Sequence, residues 1–313
     1  MGEIMLSVVV PVYNENNIDL CAERIMSVLE KANILYEIVF VDDGSENGVW
    51  NEINNLTIKN KNIRAVALSR NFGKENAICA GIDVSAGDCV VCIDADMQHP
   101  PEMIPQMYEM WQNGYEVVEG VKRCRCEGHK IYDIFARTFY YILKKLAHID
   151  LQNSSDFRLL DRYAVEAWQS MHERQVFFRG MSSWIGFRHT KVYFDVEERK
   201  FGKSKWTKSK LITLAVSAFT SYSTLPLYIS LICGMILSLC FAADLLGVVY
   251  MKFSGQVLDV YDIIISLQLL IGGMVTTGIG IMGLYVEKIY TEVKGRPRYI
   301  ISRIIGGNRR DGV

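Results

Sequence analysis

An apolar run that stops in carboxylates constrains this chain most: Cys89-Val90-Val91-Cys92-Ile93 leads directly into Asp94-Ala95-Asp96-Met97-Gln98-His99-Pro100-Pro101-Glu102. Bounded by Gly87-Asp88 before it and two prolines after it, the run reads as a short strand buried in a parallel sheet. Asp94 and Asp96 are two positions apart, so continued extended geometry would project both from one face at the C-terminal end of the strand. That is the edge at which open α/β sheets bind ligands. Two carboxylates and the carboxamide oxygen of Gln98 make a hard oxygen set, which suits Mg2+ or Mn2+ with water and phosphate oxygens better than zinc. An isolated Asp-x-Asp is a weak signal, because solvated loops are rich in aspartate; its context gives it weight.

The same pattern recurs upstream. Leu6 to Val12 is a β-branched run ending in Pro11-Val12-Tyr13-Asn14-Glu15, and a helical pattern follows from Asn17 to Lys31. Tyr36 to Val41 ends in Asp42-Asp43-Gly44-Ser45, and Ile63 to Leu68 ends in Ser69-Arg70-Asn71-Phe72-Gly73-Lys74-Glu75 before a helix to about Val84. Four consecutive strands thus deliver polar loops to one edge, as in a doubly wound α/β sheet. No Gly-x-Gly-x-x-Gly follows the first strand and no Walker lysine motif occurs, so dinucleotide dehydrogenases and P-loop enzymes fit poorly.

Composition enters because apolar residues are concentrated late. Half of the 313 residues are hydrophobic, and two runs, Leu225 to Ala243 and Ile263 to Val286, approach the roughly 20 residues a membrane helix needs. Lys200, Lys203, Lys205, Lys208 and Lys210 precede the first run, and Lys288, Lys294, Arg296, Arg298, Arg303, Arg309 and Arg310 follow the second. The positive-inside rule then puts both termini in the cytosol, with a short outer loop carrying Lys252. Met1 to Leu6 lacks the basic and apolar regions of a signal peptide, in keeping with a cytosolic N-terminal part.

Leu211 to Tyr222 is too short to span and reads as an amphipathic helix along the membrane surface. Small residues recur every four positions at Ser230, Gly234, Ser238 and Ala242, and again at Gly272, Thr276 and Gly280. Such faces could pair the spans or build a homo-oligomer. A net charge of -1 excludes the strongly basic footprint of a nucleic-acid partner. The eight cysteines show no zinc spacing and read as reduced thiols.

The loops Pro11-Val12-Tyr13-Asn14-Glu15, Val41-Asp42-Asp43-Gly44-Ser45, Arg70-Asn71-Phe72-Gly73-Lys74 and Asp94 to Glu102 resemble those of family 2 glycosyltransferases with the GT-A fold. The resemblance is to the polyprenyl-phosphate branch, which includes dolichol-phosphate mannose synthases and bactoprenol glucosyltransferases. It implies a Rossmann-like, mostly parallel GT-A catalytic domain over residues 1–206, an amphipathic juxtamembrane segment over 207–223, two transmembrane helices over 224–290 and a basic cytosolic tail over 291–313.

Carried over residue by residue, it places Tyr13, Glu15 and Asp42 at the base and ribose, with Asp43 supporting that loop and Pro11 among the donor-site residues. Lys74, Ala95, Lys122 and Arg125 join the donor site; Lys122 stands where the family usually has arginine and lacks its bidentate fork. Asp94, Asp96 and Gln98 are implied around Mg2+ or Mn2+ and the diphosphate, to which Arg199 and Lys205 also reach. Ser155-Asp156-Phe157-Arg158-Leu159-Leu160 carries the implied catalytic base, Asp156, and Glu173 to Gly180 borders the acceptor.

The implied reaction is inverting transfer of a hexose, with UDP-glucose the leading donor and GDP-sugars still open, to polyprenyl phosphate at the cytosolic face of the inner membrane. A lipid-linked sugar for cell-envelope glycosylation would result. A processive polysaccharide synthase shares the fold but usually has more spans and a Gln-x-x-Arg-Trp sequence, neither of which is apparent here. A non-catalytic membrane-tethered nucleotide-sugar binder is opposed by the presence of Asp94, Asp96, Asp156 and Arg199 together.

Overall fold

The computed structural model describes residues 4–123, 154–171, 173–174, 176–195 and 260–306, with the single positions Ile232, Gly234 and Ile236. In chain order the elements are β1 (Met5–Val12), α1 (Ile18–Lys31), β2 (Leu35–Asp42), α2 (Val49–Lys59), β3 (Ile63–Leu68), α3 (Lys74–Val84), β4 (Cys89–Cys92) and α4 (Ile104–Gln112). They continue with β5 (Val117–Lys122), β6 (Ser154–Asp161), α5 (Arg162–Gln169), α6 (Phe178–Trp184), β7 (His189–Phe194), α7 (Val260–Val293) and β8 (Ile301–Gly306).

The strands form one sheet in the order β7-β5-β6-β4-β1-β2-β3-β8. β3, β2, β1 and β4 run parallel, in a register that sets Val12 beside Asp42 and Asp42 beside Ala67. Their following loops therefore leave the sheet side by side. β6 enters antiparallel between β4 and β5, and β7 pairs parallel to β5.

The near-continuous apolar character of β1 follows from burial on both faces. Val8, Val10 and Val12 pack with α1, α2 and α4 residues such as Ile25, Ile53 and Met107, whereas Val9 packs with Val41, Ile78, Val165 and Trp168 beneath α3 and α5. Each fully buried Val, Leu or Ile contributes about 1.5–3 kcal/mol. At the opposite end of the strands, buried Glu37 accepts from Ser7 Oγ at 2.6 Å and pairs with Arg64 at 3.5 Å. That polar cluster is satisfied within the protein.

Two features depart from sequence expectation. Extended geometry stops at Cys92, and Asp96 sits in a turn in which Met97 adopts φ 58°. Asp94 and Asp96 thus do not share one strand face, and the turn is closed by the Gln98 backbone N–H, which donates to the Asp96 carboxylate at 3.1 Å. The segment expected as a basic tail contributes β8, antiparallel to β3. It is docked by Ser69 N–H on the Ile300 carbonyl at 2.9 Å and by Arg298 on the Glu173 carbonyl at 2.7 Å.

Residues 206–295 form a separate compact unit. Within it, the 24 residues Leu270–Val293 are long and apolar enough to cross a membrane, with mean hydropathy 1.4 over an 18-residue window. Thr276 and Thr277 return their hydroxyls to the carbonyls of Gly272 and Gly273, both at 2.8 Å, so these polar groups are satisfied inside the helix. The first expected span, apart from Ile232, Gly234 and Ile236, lies outside the described residues, as does the juxtamembrane segment.

Candidate active site

The loops at the C-terminal strand edge are tied together by backbone bonds to carboxylates and amides. Asp42 Oδ1 accepts from Ser45 N–H at 2.9 Å, and Ser45 Oγ accepts from Asn14 N–H at 2.9 Å, so the β1 and β2 loops brace each other. Asp43 receives Phe72 N–H at 2.7 Å and Gly73 N–H at 2.9 Å, which pins the Arg70–Lys74 loop to the β2 loop. Gly44, at φ +70°, makes this approach feasible: a Cβ there would stand 2.5 Å from the Arg70 carbonyl carbon. Pro11 is buried at the end of β1, while Tyr13 stays 37% exposed beside these loops.

Lys74 opens α3, and its ammonium lies between two halves of the site. Nζ is 2.6 Å from Asp94 Oδ1 and 2.6 Å from Asp156 Oδ2. Asp156, buried on β6, also receives Arg179 Nε on Oδ1 at 2.6 Å and Arg179 Nη2 on Oδ2 at 3.1 Å. Burial alone would raise the Asp156 carboxyl, but Lys74 and Arg179 outweigh it and hold the group well below the usual aspartate range. For Asp94 the same contest, decided by Lys74, also ends below that range. Burial and the nearby Arg179 depress the Lys122 ammonium, which lies close enough to feel Asp94 and Asp156 as well.

Supporting groups surround this chain of charges. Buried Arg158 donates to the Arg179 carbonyl at 3.1 Å and to Ser182 Oγ at 2.5 Å, fixing α6 against β6. Glu75 Oε2 accepts the Phe178 N–H at 2.8 Å; burial, then Asp156, push its carboxyl up to about 7. His99 is buried between Phe157, stacked at 5.5 Å, and the edge of Phe194 at 5.4 Å, with Nδ1 3.6 Å from Asp94 Oδ2. Burial, opposed by Asp94, lowers its pKa below the ordinary histidine value.

Among the described residues no three His, Cys, Asp or Glu side chains converge as a metal cage. Asp94, Asp96 and Gln98 nevertheless suit a hard ion of the Mg2+ type, which is commonly held by one or two carboxylates with phosphate and water oxygens completing the shell. Ala95 is buried within the same turn. Arg125, Arg199 and Lys205 lie outside the described residues. Sequence reasoning assigned no role to Arg179, Glu75 or His99; Arg179 stood within the quoted Glu173–Gly180 stretch, and only the fold brings it to Asp156.

A doubly wound sheet with braced carboxylate loops along one edge defines an α/β enzyme of GT-A-like fold. Residues 7–168 match the model of glycosyl transferase family 2. The chain is 37% identical over 310 residues to an uncharacterized glycosyltransferase from Synechocystis sp., covering 97% of this chain and 96% of that protein. It is 35% identical over 306 residues to the SfII prophage-derived bactoprenol glucosyl transferase of Shigella flexneri, covering 97% and 99%. Among solved structures, glucosyl-3-phosphoglycerate synthase from Mycobacterium tuberculosis, in complex with Mn2+, UDP and phosphoglyceric acid, is 19% identical with TM-score 0.48, over 70% of this chain and 77% of that one. The chain belongs to glycosyl transferase family 2 and is a glycosyltransferase.

Proposed function

We propose that this enzyme transfers a hexose, with glucose from UDP-glucose the first candidate, to the phosphate of a polyprenol at the cytosolic face of the cell membrane, with inversion at the anomeric carbon. The observation that carries this reading is the meeting of Asp94, Lys74, Asp156 and Arg179 at one strand edge. It joins a motif apt for nucleotide diphosphate to a cationic group apt for an anionic acceptor. The name of the Shigella relative, matched over nearly its whole length, supports the lipid acceptor and the sugar.

Mg2+ or Mn2+, held by Asp94, Asp96 and Gln98, would supply neutralisation of the charge on the departing nucleotide diphosphate. The chain's own residues bind and orient. Tyr13, Glu15 and Asp42 edge the nucleotide side, and Asp43 keeps the Arg70–Lys74 loop in place. The acceptor phosphate is already an anion, so its oxygen needs orientation more than deprotonation. Asp156, with both oxygens engaged by cations, is a weak proton acceptor and a strong holder of Lys74 and Arg179. These two side chains remain 42% and 35% accessible and so can meet a ligand phosphate. Attack by a phosphate oxygen on the anomeric carbon breaks the bond to the nucleotide diphosphate on the opposite face, which inverts that centre. Helix α7, together with the apolar run from Leu225 to Ala243, would anchor the enzyme as a multi-pass protein where the lipid headgroup lies.

The test is full-length protein in vesicles containing polyprenyl phosphate, given Mg2+ or Mn2+ and radiolabelled UDP-glucose, UDP-galactose, UDP-N-acetylglucosamine or GDP-mannose. The expected result is a labelled lipid on thin-layer chromatography, with glucose the preferred sugar. Absence of labelled lipid and of nucleotide release with every donor would overturn the proposal.

A further inference from the structure

One basic side chain serves both halves of the site. Lys74 is the first residue of α3, and the two N–H groups just before it are pinned by Asp43, so its backbone moves with the nucleotide-side loops. Its ammonium nevertheless reaches Asp156, 82 positions away on β6. In this arrangement Asp94 and Asp156 are balanced by Lys74 and Arg179, two charges of each sign. Asp94 is the more loosely held of the two carboxylates. Its side chain is 23% accessible against 5% for Asp156, and its second oxygen lies 3.6 Å from His99 Nδ1.

We infer that Lys74 is a mobile counterion which occupies Asp94 while the donor site is empty and passes wholly to Asp156 when a divalent ion takes Asp94, so that donor loading creates the cationic pocket for the acceptor phosphate. This rests on the metal-dependent transfer proposed above. Two physical points favour it. A divalent ion and an ammonium compete for the same carboxylate oxygen, and the divalent charge wins when phosphate oxygens complete its shell. The displaced ammonium sits on a flexible four-carbon stem and already has its second partner in contact. Asp156 then faces Lys74 and Arg179 together, one negative charge against two positive, and the surplus favours an incoming anion. Lys74 acts here as a positioning residue, since it orders donor before acceptor without being assigned a place in bond making.

The experiment uses full-length protein and reads Mn2+ uptake directly, by loss of the free Mn2+ electron paramagnetic resonance signal in the presence of UDP. Lys74→Met removes the competing charge and should tighten Mn2+ binding about fivefold, the size expected for a partly exposed ion pair. In steady-state assays at saturating Mn2+ the same variant should raise the KM for polyprenyl phosphate about tenfold, with no rise in the KM for the nucleotide sugar. Lys74→Arg keeps a cation at the position and should retain wild-type Mn2+ affinity. Should Lys74→Met fail to fold, Lys74→Gln carries the same expectation. Unchanged or weaker Mn2+ binding by the neutral variants, beside normal uptake by the wild type, would overturn the inference and leave the transfer proposal standing. No Mn2+ uptake by the wild type would overturn the metal reading and the inference together.

Discussion

The two flanks of β4 hold their functional groups by different means. On the parallel flank, formed by β1, β2 and β3, the loops are fixed by backbone N–H groups donated to Asp42, Asp43 and Asn14 side chains or to Ser45. On the flank formed by β6, β5 and β7, the arrangement depends on ion pairs between side chains: Asp156 with Lys74 and Arg179, and Glu119 with Arg158. Backbone-held loops present a preformed surface suited to a rigid base and ribose. Paired charges can exchange partners, which would suit the admission and release of the phosphorylated lipid proposed as acceptor.

Several measurements can break or sharpen this contrast. The largest effect is expected from Asp96→Ala, which should lower transfer by about 10³-fold and abolish nucleotide-dependent Mn2+ binding in calorimetry. Asp156→Asn should reduce transfer about 100-fold while leaving nucleotide affinity within about threefold of wild type. Loss of donor binding in Asp156→Asn would erase the division between the flanks. Gly44→Ala, by contrast, attacks the backbone-held side. With φ +70° and the Arg70 carbonyl carbon 2.5 Å from the new Cβ, it should cost about 2–3 kcal/mol in urea denaturation and weaken UDP binding.

The smallest effect concerns pH. The folded protein raises Glu75 from 4.5 to about 7, so folding favours its protonated form, and the cost of ionising it accrues as pH climbs through that interval. Glu75→Gln keeps an acceptor for Phe178 N–H and removes the cost. It should therefore gain about 1–2 kcal/mol over wild type at about pH 8 and almost nothing at about pH 4.5. Asp156 behaves oppositely. Its depressed pKa means that the stability from its ion pairs is present above the ordinary aspartate range and is lost as pH falls below it. An unchanged pH profile in Glu75→Gln would show that the ion-paired flank tolerates a charged Glu75.

Much of the parallel flank was legible in the chain because its signals are local. β3 begins and ends where the apolar run does, β1 starts one residue before its run, and β2 extends one residue beyond its run at each end. Asp43 could be expected to support its loop through the family resemblance, whereas the bond from Ser45 N–H to Asp42, expected at the base and ribose, appears only in the structure. β6 was harder. Ser154–Asp161 contains Asp156 and Arg158, buried charges that break an apolar strand pattern and are tolerated only because Arg179, Ser182 and Glu119 satisfy them. β8 escaped notice for the reverse reason: as an edge strand it keeps Ser302, Arg303 and Ile304 exposed.

The order of apolar runs and polar loops alone determined the parallel sheet, its ligand-binding edge and the apolar helix near the C-terminus, because periodicity and strand-end chemistry act over a few residues. Only the tertiary structure decided that Lys74 joins Asp94 to Asp156 and that Arg179 completes the cluster. Those contacts close loops of 20 to 82 residues. Pairing between charges so far apart depends on which strands become neighbours, and no local pattern in the chain specifies that β6 will enter antiparallel beside β4.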